Sequence, residues 1–275
     1  MANAPEKPNQ ALPQVKYVVA VGAGKGGVGK STVAVNLAIG LSRLGLQVGL
    51  MDGDIYGPST PTMLGLKGKS LGLNDGKIVP FHCHGIHAVT IGALVPEDKP
   101  LIWRGPMAHS AFKQLLIDTQ WPELDYLIVD LPPGTGDVPL TLCQLLPLTG
   151  AVIVATPQQV ALDDAIRAVR MFQHLNAPIL GMVENMSYFV GEGGAASDIF
   201  GRGGAELAAK KLQLPFLGAL PLFTELRVNS DSGQPLKNFE GAPRLRDALS
   251  ALAQNLIQRV EIEVSQSRGP DIEVT

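Results

Sequence analysis

The 275-residue sequence predicts an α/β fold, a mostly parallel β-sheet flanked by helices on both faces. Three observations carry this. Short, continuously apolar runs rich in β-branched residues alternate with segments of helical spacing, the pattern of strands buried on both faces. The loops after those runs are polar or glycine-rich, reading GAGKGGVGKS, DGDIYGPS, DLPPGTGD, TPQQ and ENMS. In parallel sheets the functional loops follow the carboxyl ends of the strands. Hydrophobic residues make up 45% of the chain, enough for a substantial core.

The elements follow in order. Residues 17–21 (YVVAV) form a strand that ends in glycines. Residues 31–44 form a helix, with Val33, Leu37, Leu41 and Leu44 on one face and Gly45 as its stop. Further strands are expected at 48–51, 127–129, 151–155, 179–183 and 216–220, and further helices at 110–118, 138–146, 162–174, 205–211 and 244–260. Residues 77–95 alternate apolar and polar, the pattern of an edge hairpin. The longest uncharged stretch, 138–162, is long enough to span a bilayer. Its Pro139, Pro147, Gly150, Pro157, Gln158 and Gln159 make it a helix, a turn and a strand instead. One P-loop-bearing domain at 16–262 is expected between flexible tails at 1–15 and 263–275.

Composition excludes several functions. The net charge is −3, which argues against nucleic-acid binding by bulk charge. Aromatics are 5% of the chain, too few for a base-stacking surface. The start is polar and proline-rich, with no apolar signal region. Two cysteines, Cys83 and Cys143, give no disulfide framework, so a cytoplasmic, reducing setting is expected. Cys143 falls in an apolar helix and reads as a core residue. Cys83 stands in His82-Cys83-His84-x-x-His87, which has the residue types of a metal site. A strand puts Cys83 on the face opposite His82 and His84, so an exposed hairpin is the better reading. His109 and His174 read as isolated surface residues.

Gly24-Lys25-Gly26-Gly27-Val28-Gly29-Lys30-Ser31 matches G-x-x-x-x-G-K-[ST] between a strand and a helix. Its glycines turn backbone N–H groups toward phosphate oxygens, and the helix N-terminus adds a favourable field. Lys30 is placed to reach the β- and γ-phosphates of a nucleotide, and Ser31 to offer a hydroxyl to Mg²⁺. Thr32 follows in the same turn and belongs with the nucleotide-binding residues. Gly22-x-Gly24-x-x-Gly27, with Asp52 25 residues further on, also fits a dinucleotide fingerprint. That pattern leaves Gly29-Lys30-Ser31 without a purpose. Asp130 ends the strand YLIVD, where a carboxylate can hold Mg²⁺ or its waters beside Ser31. The loop after it carries Gly134 and Gly136, whose N–H groups suit a phosphate-sensing switch. Asp52 and Asp54 flank Gly53 and can orient water or coordinate Mg²⁺ through water. The amide of Asn185 can pair with an adenine edge, because it both donates and accepts.

These residues carry a resemblance. Lys-Gly-Gly-x-Gly-Lys-Ser, from Lys25 to Ser31, resembles the deviant Walker A loop of the ParA/MinD and nitrogenase-iron-protein class. MDGDIYGPSTPTMLG, WRGPM, LDYLIVDLPPGTGD, ATPQQVALDDA, VENMSYF and DIFGRGGAELA are similar to the Mrp/ApbC family. That family comprises P-loop ATPases that carry iron–sulfur clusters to apoproteins. The resemblance implies an ATP-dependent homodimer with ATP and Mg²⁺ as cofactors and apoproteins or assembly proteins as partners. It implies that Lys25 crosses to the partner subunit's nucleotide, that Asp52 orients the attacking water, with Asp54 as runner-up, and that Asn185 reads the base. It also implies a [4Fe-4S] cluster on a Cys-x-x-Cys between NMSYF and DIFG. This chain reads FVGEGGAASD there, without either cysteine. Two alternatives stay open: an ATP-dependent docking switch that carries no cluster, and a ParA/MinD-like positioning ATPase. Neither nucleic acid nor a membrane is expected as partner, because the C-terminal helix has few cations on its polar face.

Overall fold

The computed structural model describes residues 11–55, 57–93, 105–134, 136–191 and 195–267. In chain order the first half comprises β1 (Val15–Ala23), α1 (Lys30–Arg43), β2 (Val48–Asp52), α2 (Thr60–Met63), β3 (Gly72–Asn74), β4 (Lys77–Val79), β5 (Phe81–Cys83), β6 (Ile86–Thr90), α3 (Gly105–Ile117) and β7 (Leu124–Asp130). There follow α4 (Asp137–Leu145), β8 (Gly150–Ala155), α5 (Gln159–His174), β9 (Ile179–Glu184), β10 (Phe189–Val190), β11 (Ala196–Ser197), α6 (Gly204–Lys211), β12 (Phe216–Ala219), α7 (Thr224–Asp231) and α8 (Pro243–Ser267).

The main sheet has the order β12-β9-β8-β1-β7-β2-β6-β5, parallel except for the edge hairpin β5–β6. The chain starts in the middle with β1 and builds one side. It then inserts β7 between β1 and β2 and continues to the other side through β8. That reversal beside β1 opens a crevice at the carboxyl ends of the strands, where such sheets bind ligands.

Each strand is continuously apolar because both faces are covered. Val18 and Ala20 pack among Phe112, Leu142 and Phe172 of α3, α4 and α5, whereas Val19 and Val21 pack among Leu37, Leu249 and Leu256 of α1 and α8. α1 is buried nearly all round, since the sheet lies under it and α8 over it. Gly40 permits that crossing: a Cβ there would stand 3.0 Å from the Ala253 methyl. Gly45, in the left-handed region, ends the helix as expected.

The structure shifts several boundaries. The N-terminal tail was expected to reach residue 15, but Leu12 is buried and Val15 already pairs with Leu124. The C-terminal tail was expected from 263, but α8 runs on to Ser267, with Val264 packed on the core. α3 begins five residues before the expected 110, at Gly105. The expected hairpin at 77–95 divides: Lys77–Val79 pairs with Gly72–Asn74 in a separate ribbon, and only Phe81–Thr90 forms the sheet edge. α7 and the 3₁₀ turn Pro235–Phe239 were not anticipated, because both are short and largely polar. Residues 1–10, Tyr56, 94–104, Thr135, 192–194 and 268–275 lie outside the described residues, and with them parts of the tails, of WRGPM and of the FVGEGGAASD segment. No described helix is long and apolar enough to cross a membrane.

One buried carboxylate ties the second half together. Glu184, at the tip of β9, is fully buried and accepts hydrogen bonds from Ser187 Oγ (2.5 Å), Gly203 N (2.8 Å) and Ala205 N (2.8 Å). It thereby caps the start of α6, where a negative charge offsets the helix dipole. Truncation would leave those donors unpaired, at about 1–3 kcal/mol for each buried one. Glu184→Ala is therefore expected to lower unfolding free energy by about 2–4 kcal/mol, read from urea titrations of the parent and variant. An unchanged midpoint would refute the anchoring role.

Candidate nucleotide site

The loop between β1 and α1 adopts the shape its glycines predict. Gly27 and Gly29 both have φ 82°, a region that L side chains rarely adopt. Gly24 is needed for another reason: a Cβ there would lie 2.0 Å from the Asp164 backbone on α5. The loop walls a cleft of about 240 Å³ that also receives Lys25, Lys30, Ser31, Thr32, Asp54 and Pro133.

Lys30 opens α1 and is 6% exposed. Its Nζ donates to Asp130 Oδ1 at 2.6 Å and to Ser31 Oγ at 3.3 Å, and lies 3.6 Å from Asp54 Oδ2. A buried amine is satisfied here by two carboxylates and a hydroxyl, as burial of a charged side chain requires. The register brings the carboxylates together: Asp52 ends β2 directly beside Asp130 at the end of β7. The second oxygen of Asp130 is buried and accepts no hydrogen bond from the described residues.

The two aspartates of β2 part ways. Asp52 is fully buried, with Oδ1 accepting from Asp54 N at 3.1 Å and Oδ2 from Thr90 Oγ1 at 3.0 Å. Asp54 instead faces the cleft. Both Asp52 oxygens accept hydrogen bonds inside the protein, and Asp54, the runner-up for orienting water, is the one that lines the cleft. Asn185 is buried, and its Nδ2 donates to Val28 O of the phosphate loop at 2.8 Å. Lys25 stands half-exposed at the cleft and forms no ion pair among the described residues. Thr90 and Glu184 were missed from sequence; for Glu184 the one signal was a carboxylate directly before Asn185 at a strand end.

The remaining candidates do not join this site. Cys83 packs against the α1–α8 side of the sheet and Cys143 against the α3–α6 side, so the sheet separates the thiols. Burial pushes the Cys83 thiol up to about 11 and raises Cys143 as well. Cys143 is half-buried rather than a full core residue. His82 and His87 face each other across the edge hairpin, ring centroids 4.8 Å apart. His84 is not in the strand: it occupies the turn at φ 52° and its ring hydrogen-bonds Leu64 O. No three His, Cys, Asp or Glu side chains among the described residues form a metal-binding group. His109 is exposed and bonded to Thr141 of α4.

Burial, and next the charge of Asp130, raise the Asp52 carboxyl to about 7 from the usual 3.8. The folded protein thus holds a proton that the unfolded chain releases between these values, so this contribution to stability is complete below pH ~4 and is lost as pH rises through about 7. In urea midpoints measured from pH 4 to 8, Asp52→Asn is expected to flatten that decline relative to the parent. Parallel pH profiles for the two proteins would contradict it.

The family model described as ParA, NUBPL iron-transfer P-loop NTPase, matches residues 14–257. An iron–sulfur cluster carrier protein of Deinococcus radiodurans is 52% identical over 254 residues, covering 92% of this chain and 72% of its own length. The iron–sulfur cluster transfer protein NUBPL of Dictyostelium discoideum is 45% identical, covering 98% of this chain and 86% of its own. Among solved structures, a nucleotide-binding protein of Archaeoglobus fulgidus in complex with ADP superposes with a TM-score of 0.73 at 36% identity, over 82% of this chain and 90% of that one. The cell-division ATPase MinD of Pyrococcus furiosus, 20% identical, shares the fold with a TM-score of 0.65 over 88% of this chain and 98% of its own. A phosphate loop closed on a buried lysine, a strand-end aspartate and a second aspartate in the turn after β2, together with a family match along nearly the whole described chain, shows that this protein belongs to the ParA/NUBPL iron-transfer P-loop NTPases.

Proposed function

We propose that the protein is a slow, Mg²⁺-dependent ATPase that works as a cytoplasmic homodimer in iron–sulfur cluster assembly or transfer to apoproteins. The observation that carries the ATPase is Lys30, held between Asp130 and Asp54 at the head of a phosphate loop. The iron–sulfur role rests on the relatives named as cluster carriers and transfer proteins.

In this reading the N–H groups of Gly26, Gly27 and Gly29 cradle the phosphates and Lys30 turns from Asp130 to their β- and γ-oxygens. Ser31 and Thr32 close the cradle. The residues fit Mg²⁺: the unpaired buried oxygen of Asp130 is a ready acceptor for a metal-bound water, and the Ser31 hydroxyl stands beside it. Ser31 and Asp130 would hold the ion, which when bound neutralises charge on the phosphate oxygens. Asp54, facing the cleft, takes the water-orienting role. Asp52 positions it through the bond from the Asp54 N–H. Lys25 serves the partner subunit's nucleotide.

Asp54→Asn is expected to retain ATP binding and to lose turnover by 10²-fold or more, in the range of a removed catalytic group, whereas Asp52→Asn keeps most of its activity. Phosphate release assays on both variants decide, and the opposite ranking would return the role to Asp52.

Lys30→Ala is expected to abolish ATP binding, and Lys25→Ala to bind ATP yet fail to hydrolyse it. A mixed dimer of the two rebuilds one competent site, because the subunit with intact Lys30 receives its partner's Lys25. Activity that stays absent in verified heterodimers would exclude action in trans.

The cluster is cargo, and this chain's thiols do not suit it. Cluster ligands are thiolates; here burial raises both thiols, and they lie on opposite faces of the sheet. That favours a second reading, an ATP-dependent docking switch whose cluster, if any, is completed by a partner. Anaerobic reconstitution is expected to leave no stable iron after gel filtration. About four irons per dimer, lost on Cys83→Ser or Cys143→Ser, would show that these thiols hold the cluster after all.

A further inference from the structure

We propose that Asn185 is a positioning residue of the phosphate loop: by holding Val28 O, it aims the Gly29 N–H into the cleft. The inference deepens the nucleotide-binding reading and rests on it.

The geometry begins with the bond from Asn185 Nδ2 to Val28 O, 2.8 Å long and buried. The Val28–Gly29 peptide is trans, as are all those described. In a planar trans peptide the C=O and the following N–H point in opposite directions. Asn185 is not among the residues that line the cleft, whereas Gly29 is. Drawing the carbonyl toward β9 therefore turns the Gly29 N–H toward the phosphates. As the residue capping α1, Gly29 has no intrahelical acceptor for that N–H, so it is available to a ligand.

Two further features fit this part. A Cβ on Gly29 would stand 2.1 Å from Asn185 Nδ2, so the amide occupies the space that only glycine leaves. Met186, next in the chain, sits at φ 56° and brings its Cε to 3.7 Å from the same point. A non-glycine residue in the left-handed region is strained unless its surroundings hold it there. Here Asn185 is fixed on one side by Val28, and Ser187 on the other by Glu184. The β9 tip is thus clamped against the loop from behind.

The test separates phosphate positioning from recognition of the base. Mg–ATP and Mg–tripolyphosphate, which has no base, are titrated calorimetrically into the parent, Asn185→Ala, Asn185→Asp and Lys30→Ala. Loss of one hydrogen-bond constraint is expected to weaken both probes by the same factor, about three- to tenfold in Asn185→Ala. Asn185→Asp should weaken them more, because a carboxylate repels the Val28 carbonyl. In steady state KM for ATP should rise by that factor while kcat at saturation holds; a misfolded fraction would lower kcat instead. Weaker ATP with unchanged tripolyphosphate would overturn the proposal in favour of base reading. Unchanged affinity for both, a fall in kcat alone, or no tripolyphosphate binding by the parent would also overturn it. A parent that binds no ATP, or a Lys30→Ala variant that binds as the parent does, would instead refute the nucleotide-binding reading itself.

Discussion

A lysine that is 6% exposed dictates much of what surrounds it. Lys30 is buried with Asp130 at 2.6 Å and Asp54 at 3.6 Å. Asp130 ends β7 and Asp54 sits in the turn just after β2, and parallel pairing brings the ends of these neighbouring strands to the same side. Setting β7 between β1 and β2 places Asp130 next to the loop that carries the lysine and beside Asp52. The crowding has a cost, visible in Asp52. Pressed into the core beside another carboxylate, it stays in place by accepting from the Thr90 hydroxyl and the Asp54 N–H, and its carboxyl is raised to about 7.

The phosphate loop is held from two directions. On one side the α5 backbone comes so near Gly24 that no side chain fits. On the other, Asn185 and Met186 press on Gly29. Preorganised donors lose little in binding, because their orientation is fixed before the ligand arrives. Glu184 extends the same tip of β9 to the start of α6, so the loop, the strand end and the following excursion form one connected unit.

The same sheet that builds the nucleotide cleft keeps the two thiols apart. Cys83 lies with the α1–α8 layer and Cys143 with the α3–α6 layer. The family's link to iron–sulfur clusters therefore meets, in this member, a nucleotide-binding fold whose two cysteines pack on opposite faces of the sheet.

Several things were legible in the sequence alone. The central strands, the main helices and the phosphate loop follow from local patterns: continuous apolar runs, helical spacing, and glycines placed before Lys30. The position of Asp130 at a strand end was legible as well, from the apolar run YLIV before it. The surroundings of Asp52, Asp54 and Asn185 were not, since they depend on which neighbour each side chain meets. Asp52 and Asp54 are two residues apart, yet the pairing of β2 with β6 and β7 buries one against Thr90 while the turn after it delivers the other to the cleft. Asn185 has the chemistry to read a base, and the sheet sets its amide against Val28 of the phosphate loop, a contact between residues far apart in the chain. Residue type and spacing determine what chemistry a position can offer. Strand order and register decide what that chemistry touches, because they join segments that lie far apart in the chain.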